Sequence, residues 1–424
     1  MRRRRPRSSP GCADLRLAVV SPFVDRRHGT ERALAHLLEC LAEQQRCEVH
    51  LYAQRVEDLR VSPPAKRNRN APAAPAASVP EGGRIYWHRV PALPGPHLVQ
   101  FLGWLLFNGL CRRRDAWLGR VSCDFLLSPG INCLHPDLVI VHALFHRLRD
   151  LASENGEQPH QSFFRRWHRR LYYGLLVALE RRVYGNQRTA IAAVSRRTAE
   201  LLNQYFLRAD VVVVPNGVDP AEFHTEKRLA RRADARRARG FHEDECVLLL
   251  IGNDWRTKGL PVILAAMASL PQLPLRLLVV GSDAPEYFQE LAAHLGLQDR
   301  CLWEAPRPDV LDLYAAADVY VSPSREDSFG LPVLEAMACG LPVITSRFAG
   351  MAEDVRPEVD GFVLENPQDA PVLAQLLARL AADAGLRHDI GAAAARRAAG
   401  LTWEHQAAAI WQLLQSRVQH DAKR

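Results

Sequence analysis

Ser324-Arg325-Glu326-Asp327-Ser328-Phe329-Gly330-Leu331-Pro332-Val333-Leu334-Glu335-Ala336-Met337-Ala338-Cys339-Gly340-Leu341-Pro342-Val343-Ile344 is the stretch from which the fold can be read. The run before it, Asp318-Val319-Tyr320-Val321, has the aromatic and β-branched content of a buried strand, and Pro323 with Ser324 ends it. An acidic loop follows, and Phe329-Gly330 leads into a helix at Leu331-Pro332. Proline is tolerated there because the first turn has amide hydrogens without intrahelical partners. In an open α/β sheet, ligands collect beyond the carboxyl ends of the strands, and a helix amino terminus in that crevice favours an anion such as a diphosphate. Glu335, about one turn into the helix, is placed to accept hydrogen bonds from a ribose diol. Glu326 and Asp327 in the loop can do the same for sugar hydroxyls.

Outward from this stretch, the same alternation of strand and helix runs through both halves of the chain, which indicates parallel α/β sheets. Cys246 to Ile251 reads as a strand. After it, Gly252-Asn253-Asp254-Trp255-Arg256-Thr257-Lys258-Gly259-Leu260 leads into a helix from Pro261. Arg256 and Lys258 can meet a diphosphate from one side, the guanidinium as a fork and the ammonium as a point charge. In the first half, Leu15 to Val20 is a buried strand and Thr30 to Gln45 a helix with Leu34, Leu37, Leu38 and Leu41 on one face. Gly29 stands at the turn between them, either as a plain turn glycine or where backbone amides approach a phosphate. His142 follows the strand Asp137 to Val141. Such a histidine is commonly structural or solvated, but this one lies at a strand end where ligands collect.

The opening stretch resembles the signature of the retaining glycosyltransferases of family 4, in which two glutamates separated by seven residues bracket a Phe-Gly pair ahead of Ala-Met-Ala-x-Gly-x-Pro-Val. Glu335 matches the second glutamate. The first position is Asp327, one methylene shorter, with Glu326 beside it, so that either acid can be the one that reaches the donor hexose. Pro215-Asn216-Gly217-Val218-Asp219 matches the words that join the two halves in that family. The resemblance implies a GT-B architecture: α/β, with two facing Rossmann-like doubly wound domains and a cleft between them. It further implies that Gly29, Arg256, Lys258 and the segment Ser328, Phe329, Gly330 and Leu331 meet the donor diphosphate, that Glu335 holds the ribose, and that His142 contacts the transferred sugar or acceptor.

Composition sets the bounds. A chain of 424 residues suits two domains, and 48% apolar residues provide ample core. The excess of 55 basic over 47 acidic residues, a net charge of +8, suits anionic substrates or an anionic membrane surface, and no nucleic-acid partner is expected. Nine scattered cysteines without a Cys-x-x-Cys pair fit a reduced cytoplasmic setting. The absence of Gly-x-Gly-x-x-Gly after the first strand, of a P-loop and of His-Glu-x-x-His argues against dinucleotide oxidoreductases, NTPases and zinc hydrolases. The absence of Asp-x-Asp argues against the metal-dependent glycosyltransferases, so no metal or cofactor is expected beyond a UDP- or GDP-sugar donor.

The expected organisation is a basic tail (1–14), an acceptor domain (15–215) and a nucleotide-sugar domain (216–401), with a terminal helix (402–419) crossing back to the first. Val61 to Gly83, rich in Pro, Ala, Asn and Arg, reads as a loop. Gln161 to Tyr184 mixes aromatic and arginine residues, as either an interfacial membrane helix or a helix packed on a sheet does. The expected reaction moves a sugar to a glycan or glycolipid hydroxyl, as in bacterial lipopolysaccharide, capsule or glycolipid synthesis, with the enzyme peripheral at the cytoplasmic face of the membrane. Two alternatives stand beside it: a nucleotide-sugar epimerase of the same fold, and a non-catalytic membrane-associated scaffold.

Overall fold

The computed structural model describes residues 15–26, 29–45, 47–62, 85–154, 163–307 and 309–422. The chain divides into two compact units. One comprises Met1–Val194, Thr198–Val214 and Gln406–Arg424, and the other Ser195–Arg197 and Pro215–His405.

The first unit is built on strands β1 (Arg16–Val20), β3 (Glu48–Ala53), β5 (Ile85–Arg89), β6 (Phe125–Pro129), β7 (Leu138–Val141), β8 (Ala190–Ala193) and β9 (Val212–Val213), with a two-stranded side ribbon of β2 (Phe23–Val24) and β4 (Arg55–Val56). The sheet order is β5-β3-β1-β6-β7-β8-β9, every pairing parallel. Helices α1 (Gly29–Glu43), α2 (His97–Trp117), α3 (Phe145–Glu154), α4 (Phe163–Tyr184) and α5 (Arg196–Phe206) connect the strands. Parallel strands buried on both faces read as unbroken apolar runs, and Leu138–Val141 and Ala190–Ala193 are buried throughout. Of the two readings of the 161–184 segment, the carboxyl half of α4 takes the packed one. Leu176, Leu179, Val183 and Tyr184 are buried with Val139, Val141 and Ile191 in one core.

The second unit repeats the plan. Strands β10 (Cys246–Ile251), β11 (Leu275–Val280), β12 (Cys301–Glu304), β13 (Val319–Ser322), β14 (Val343–Ser346) and β15 (Phe362–Leu364) form a sheet in the order β12-β11-β10-β13-β14-β15, again all parallel. Its helices are α6 (Thr225–Arg237), α7 (Leu260–Ala268), α8 (Glu286–His294), α9 (Leu311–Ala316), α10 (Leu331–Ala338), α11 (Ala370–Ala382), α12 (Ala384–Ala398) and the start of α13 (Trp403–Ala422). Counted along the chain, this strand order is the 3-2-1-4-5-6 of a doubly wound sheet, which reverses direction between β10 and β13. The crevice of such a sheet opens at that reversal, so the loops after β10 and β13 flank it.

Helices α3 and α8 and strand β12 are absent from the sequence reading. Strand β12 is a half-buried edge of only four residues, too short for its alternation to stand out. The basic tail and most of the expected 61–83 loop lie outside the described residues.

Candidate functional site

The loop after β10 is held from three sides. The Asp283 carboxylate accepts from the Trp255 amide at 2.7 Å, and Asn253 Oδ1 accepts from the Ser282 amide at 2.9 Å, so the loop after β11 braces it. The Trp255 indole is buried against Phe288 and Trp303, with ring centroids 5.7 and 5.4 Å away. On the third side the chain turns into α7 through Gly259 at φ +87°, where a Cβ would run into the Pro323 carbonyl oxygen at the end of β13. Only glycine fits both that backbone angle and that approach. The Arg325 amide then donates to the Thr257 carbonyl at 2.8 Å, joining the two loops of the crevice.

The loop after β13 is equally fixed. Asp327 donates its amide to Phe348 (3.0 Å), its carbonyl accepts from the Gly350 amide (2.9 Å), and the Phe329 carbonyl accepts from Met351 (2.7 Å). Ser195 Oγ donates to the Ser328 carbonyl at 2.7 Å. With their carbonyls taken up in this way, the amides of Phe329, Gly330 and Leu331 donate to no group among the described residues. Gly330, at φ +92°, caps α10, whose first turn contains Pro332.

These two loops bring Lys258, Asp327 and Gly330 together. Lys258 Nζ lies 2.5 Å from Asp327 Oδ2, and that oxygen lies 3.5 Å from where a Cβ on Gly330 would sit. Lys258 and the start of α10 therefore both lie against Asp327 at the switch point, and a cation beside a helix start with unbonded amides suits an anion.

The other expected residues of this unit are placed differently. Arg256 is exposed and lies over the Tyr287 ring, 5.0 Å from its centroid, instead of beside Lys258. Glu326 is buried and accepts from Arg197 at 3.1 Å, so the two neighbouring acids have different partners. Glu335 is buried on α10 and accepts from the Tyr314 hydroxyl at 2.6 Å. Tyr314 itself is fully buried against Phe223. Tyr314 does not figure in the sequence reading, and Trp255 stands there without a role. A lone tyrosine 21 residues before Glu335 carries no local signal, whereas the tryptophan stands within the quoted loop.

In the first unit, Gly29 opens α1 at the carboxyl side of β1, and His142 directly follows β7. His142 is half-buried, and desolvation alone holds its pKa down at about 4. It is thus a neutral imidazole at physiological pH. Among the described residues, no group of three His, Cys, Asp or Glu side chains is placed to hold a metal ion.

Comparison with known proteins matches residues 231–397 to glycosyl transferases group 1 and residues 27–222 to glycosyltransferase family 4. The D-inositol 3-phosphate glycosyltransferase of Salinispora arenicola is 35% identical over 244 residues, 53% of this chain and 54% of that protein. The chain thus spans about half the length of the first relatives it matches. The protein of the same name from Xylanimonas cellulosilytica is 31% identical over 334 residues, 75% of this chain and 76% of that one. The lipopolysaccharide glucosyltransferase WaaG of Escherichia coli is 33% identical over 179 residues, 41% of this chain and 48% of that protein. Among solved structures, WaaG, a glycosyltransferase involved in lipopolysaccharide biosynthesis, superposes with a TM-score of 0.73 at 19% identity, covering 94% of this chain and 99% of that one. HepE of Anabaena in complex with UDP-glucose gives 0.66 at 16% identity, covering 96% and 100%. The fold is that of the GT-B glycosyltransferases. With both halves matched and three quarters of a relative aligned, the chain belongs to the family 4 glycosyltransferases.

Proposed function

We propose that the chain is a retaining, metal-independent glycosyltransferase that moves a sugar from a nucleoside-diphosphate sugar to a hydroxyl acceptor. The observation that carries this reading is the convergence of Lys258, Asp327 and the α10 amides at the switch point of the second unit. The chemical demand in such a transfer is charge accumulating on the leaving diphosphate. Lys258, released from Asp327 as the donor binds, and the amides of Phe329 to Leu331 meet that charge. Asp327, once Lys258 turns to phosphate, accepts hydrogen bonds from the sugar. Glu335, one oxygen steadied by Tyr314, accepts from the ribose. Arg256 lies on Tyr287 at the outer side of the same loop and closes onto the phosphates from there. His142, neutral, faces the acceptor.

In the proposed step the anomeric carbon–oxygen bond to phosphate breaks. The acceptor oxygen bonds to the same face of that carbon, and its proton passes to the departing phosphate oxygen, which keeps the anomeric configuration. UDP is the proposed nucleotide, supported by the UDP-glucose complex of HepE. A glycan or glycolipid acceptor at the cytoplasmic face, in lipopolysaccharide or a related polymer, is supported by the kinship with WaaG. An inositol phosphate is the other acceptor to try, on the strength of the relatives of that name.

The test is incubation of purified protein with UDP- and GDP-sugars, with and without each acceptor, and NMR of the product. Nucleoside diphosphate released only when acceptor is present, with an anomeric configuration matching the donor, supports the reading. An isomerised donor would make the protein an epimerase, and no turnover with any donor would leave it a scaffold.

A further inference from the structure

Among the described residues, the most deeply buried acid of the first unit has no part in the proposed step. Glu180 on α4 is 0% exposed, against 2% for Asp115 and 3% for Asp25. A carboxylate taken out of water is costly unless donors take up its oxygens, and here both are taken up. Oε1 accepts from the Phe145 amide at 2.6 Å, and Oε2 accepts from the His146 amide at 3.0 Å and pairs with the His146 ring nitrogen Nδ1 at 2.5 Å. Burial pushes the Glu180 pKa up, against the pull of all three partners. Phe145 and His146 open α3, where amides have no partner within the helix and a negative charge suits the helix dipole. The His146 ring is held in turn by Tyr205 and Phe206 of α5, with centroids 5.3 and 4.9 Å away, and the Tyr205 hydroxyl donates to Asp150 on α3 at 2.6 Å.

The place of this contact along the chain gives it a use. Strand β7 ends at Val141, and only His142, Ala143 and Leu144 separate it from Phe145. Val141 is paired with Ala193 in the sheet. Val141 and Leu144 share one core with Leu179 and Val183, which flank Glu180 on α4. A loop of three residues fixed at both ends has little room to move, so the carboxylate that pins the first turn of α3 also sets where His142 stands. A group that orients a reacting residue from behind can govern the rate without contact with substrate, because a displacement of about 1 Å at the reacting atoms costs up to about 100-fold.

We propose that Glu180 is a positioning residue for His142, holding the imidazole at the carboxyl end of β7 through the first turn of α3 and so governing the acceptor step. The inference rests on the transferase reading, in which His142 faces the acceptor. Glu180→Gln keeps the size of the side chain but turns one acceptor oxygen into a donor that faces another donor. The folded variant should lose at least about tenfold in kcat/KM for the acceptor and keep the donor KM within about twofold, since Lys258, Asp327 and Glu335 belong to the other unit. His142→Ala should lose at least as much, and Glu180→Gln/His142→Ala no more than His142→Ala alone. A second readout needs no turnover. In histidine-labelled protein the His142 ring, assigned by its disappearance in His142→Ala, should titrate near 4 in wild type and nearer 6.5 in Glu180→Gln, as water reaches the displaced imidazole. Loss of stability alone moves neither the coupling nor that titration. If Glu180→Gln does not fold, His146→Phe carries the same measurements, since it removes the Nδ1 partner and keeps a ring against Phe206. Additive losses, or a His142 titration left near 4, would overturn the proposal while the transferase reading stands. Wild-type kinetics in His142→Ala would instead remove His142 from the acceptor side and overturn the governing role with it, leaving the titration to report only where the ring stands.

Discussion

Replacing Lys258 by methionine removes the ammonium and keeps most of the stem, which rests over Gly252 with Cε 3.2 Å from where a Cβ would stand. The Lys258 and Asp327 side chains are 19 and 15% exposed, so an effective dielectric near 20 suits the site better than that of water. At about 4 Å from a phosphate oxygen, one charge pair is then worth about 4 kcal/mol. If half of it is realised only as the leaving group gains charge, the barrier rises by about 2 kcal/mol and kcat falls by about 30-fold. The assay is acceptor-dependent release of nucleoside diphosphate, with the unfolding midpoint measured in parallel. The variant also strands the Asp327 carboxylate, whose repulsion of phosphate would mimic a lost cation. Lys258→Met/Asp327→Asn separates the two effects. Recovery in the double variant would assign the loss to Asp327. A kcat/KM within about threefold of wild type in Lys258→Met, with the fold intact, would remove Lys258 from the chemistry and refute the convergence on which the functional reading stands.

Asp327→Asn should lower kcat/KM by at least about tenfold and Glu326→Gln by less than about threefold, because Glu326 is committed to Arg197; equal losses would show that both acids reach the donor. Tyr314→Phe removes the donor to the buried Glu335 carboxylate and should raise the donor KM several-fold at a stability loss of about 1–2 kcal/mol, read by titration and denaturant unfolding. Gly259→Ala places a methyl against the Pro323 carbonyl at φ +87° and should destabilise the second unit by about 2–4 kcal/mol, while Gly296→Ala, at a positive φ with open space around it, should lose only about 1–2 kcal/mol. Acid should destabilise the first unit through His88. Burial, and then the neighbouring His50, hold its pKa at about 4 against an ordinary 6.5, so the unfolded chain binds the extra proton between those values. Stability present above about pH 6.5 is therefore lost as the pH falls toward 4, by up to about 3 kcal/mol, and His88→Gln should flatten that slope.

Backbone chemistry was the most legible part of the chain. Long apolar runs such as Cys246–Ile251 and Leu275–Val280 have one reading, a strand covered on both faces, and Pro323 and Pro332 mark where strand ends and helix begins. Loop positions between them follow from topology, so Lys258, Asp327 and Gly330 could be assigned to one crevice before any distance was known. Side-chain direction was not legible in the same way. Glu326 and Asp327 differ by a methylene in sequence, and it is the presence of Arg197, 129 residues earlier, that separates their partners. Arg256 and Lys258 are two residues apart in a turn that contains Asp254 at φ +55°, and the turn sends one toward Tyr287 and the other toward Asp327. Tyr314 reaches Glu335 from α9, an element of six residues whose apolar periodicity says nothing of a single hydroxyl.

On the proposed function, the Lys258–Asp327 pair gives the donor phosphate a carboxylate to exchange with. Left alone, an ammonium and a row of unbonded amides at a helix start would repel each other's positive ends. The Asp327 carboxylate, 2.5 Å from Nζ and 3.5 Å from where a Cβ on Gly330 would sit, balances that positive potential. Its backbone is pinned at both amide and carbonyl, by Phe348 and Gly350, so little further ordering remains when a ligand arrives. Incoming phosphate need only exchange with one carboxylate for the cation. The displaced carboxylate is then a hydrogen-bond acceptor without a partner, beside the phosphate it made way for, where the donor's sugar hydroxyls would lie. In the proposed reaction an acid at this position would thus serve Lys258 first and the donor sugar afterwards.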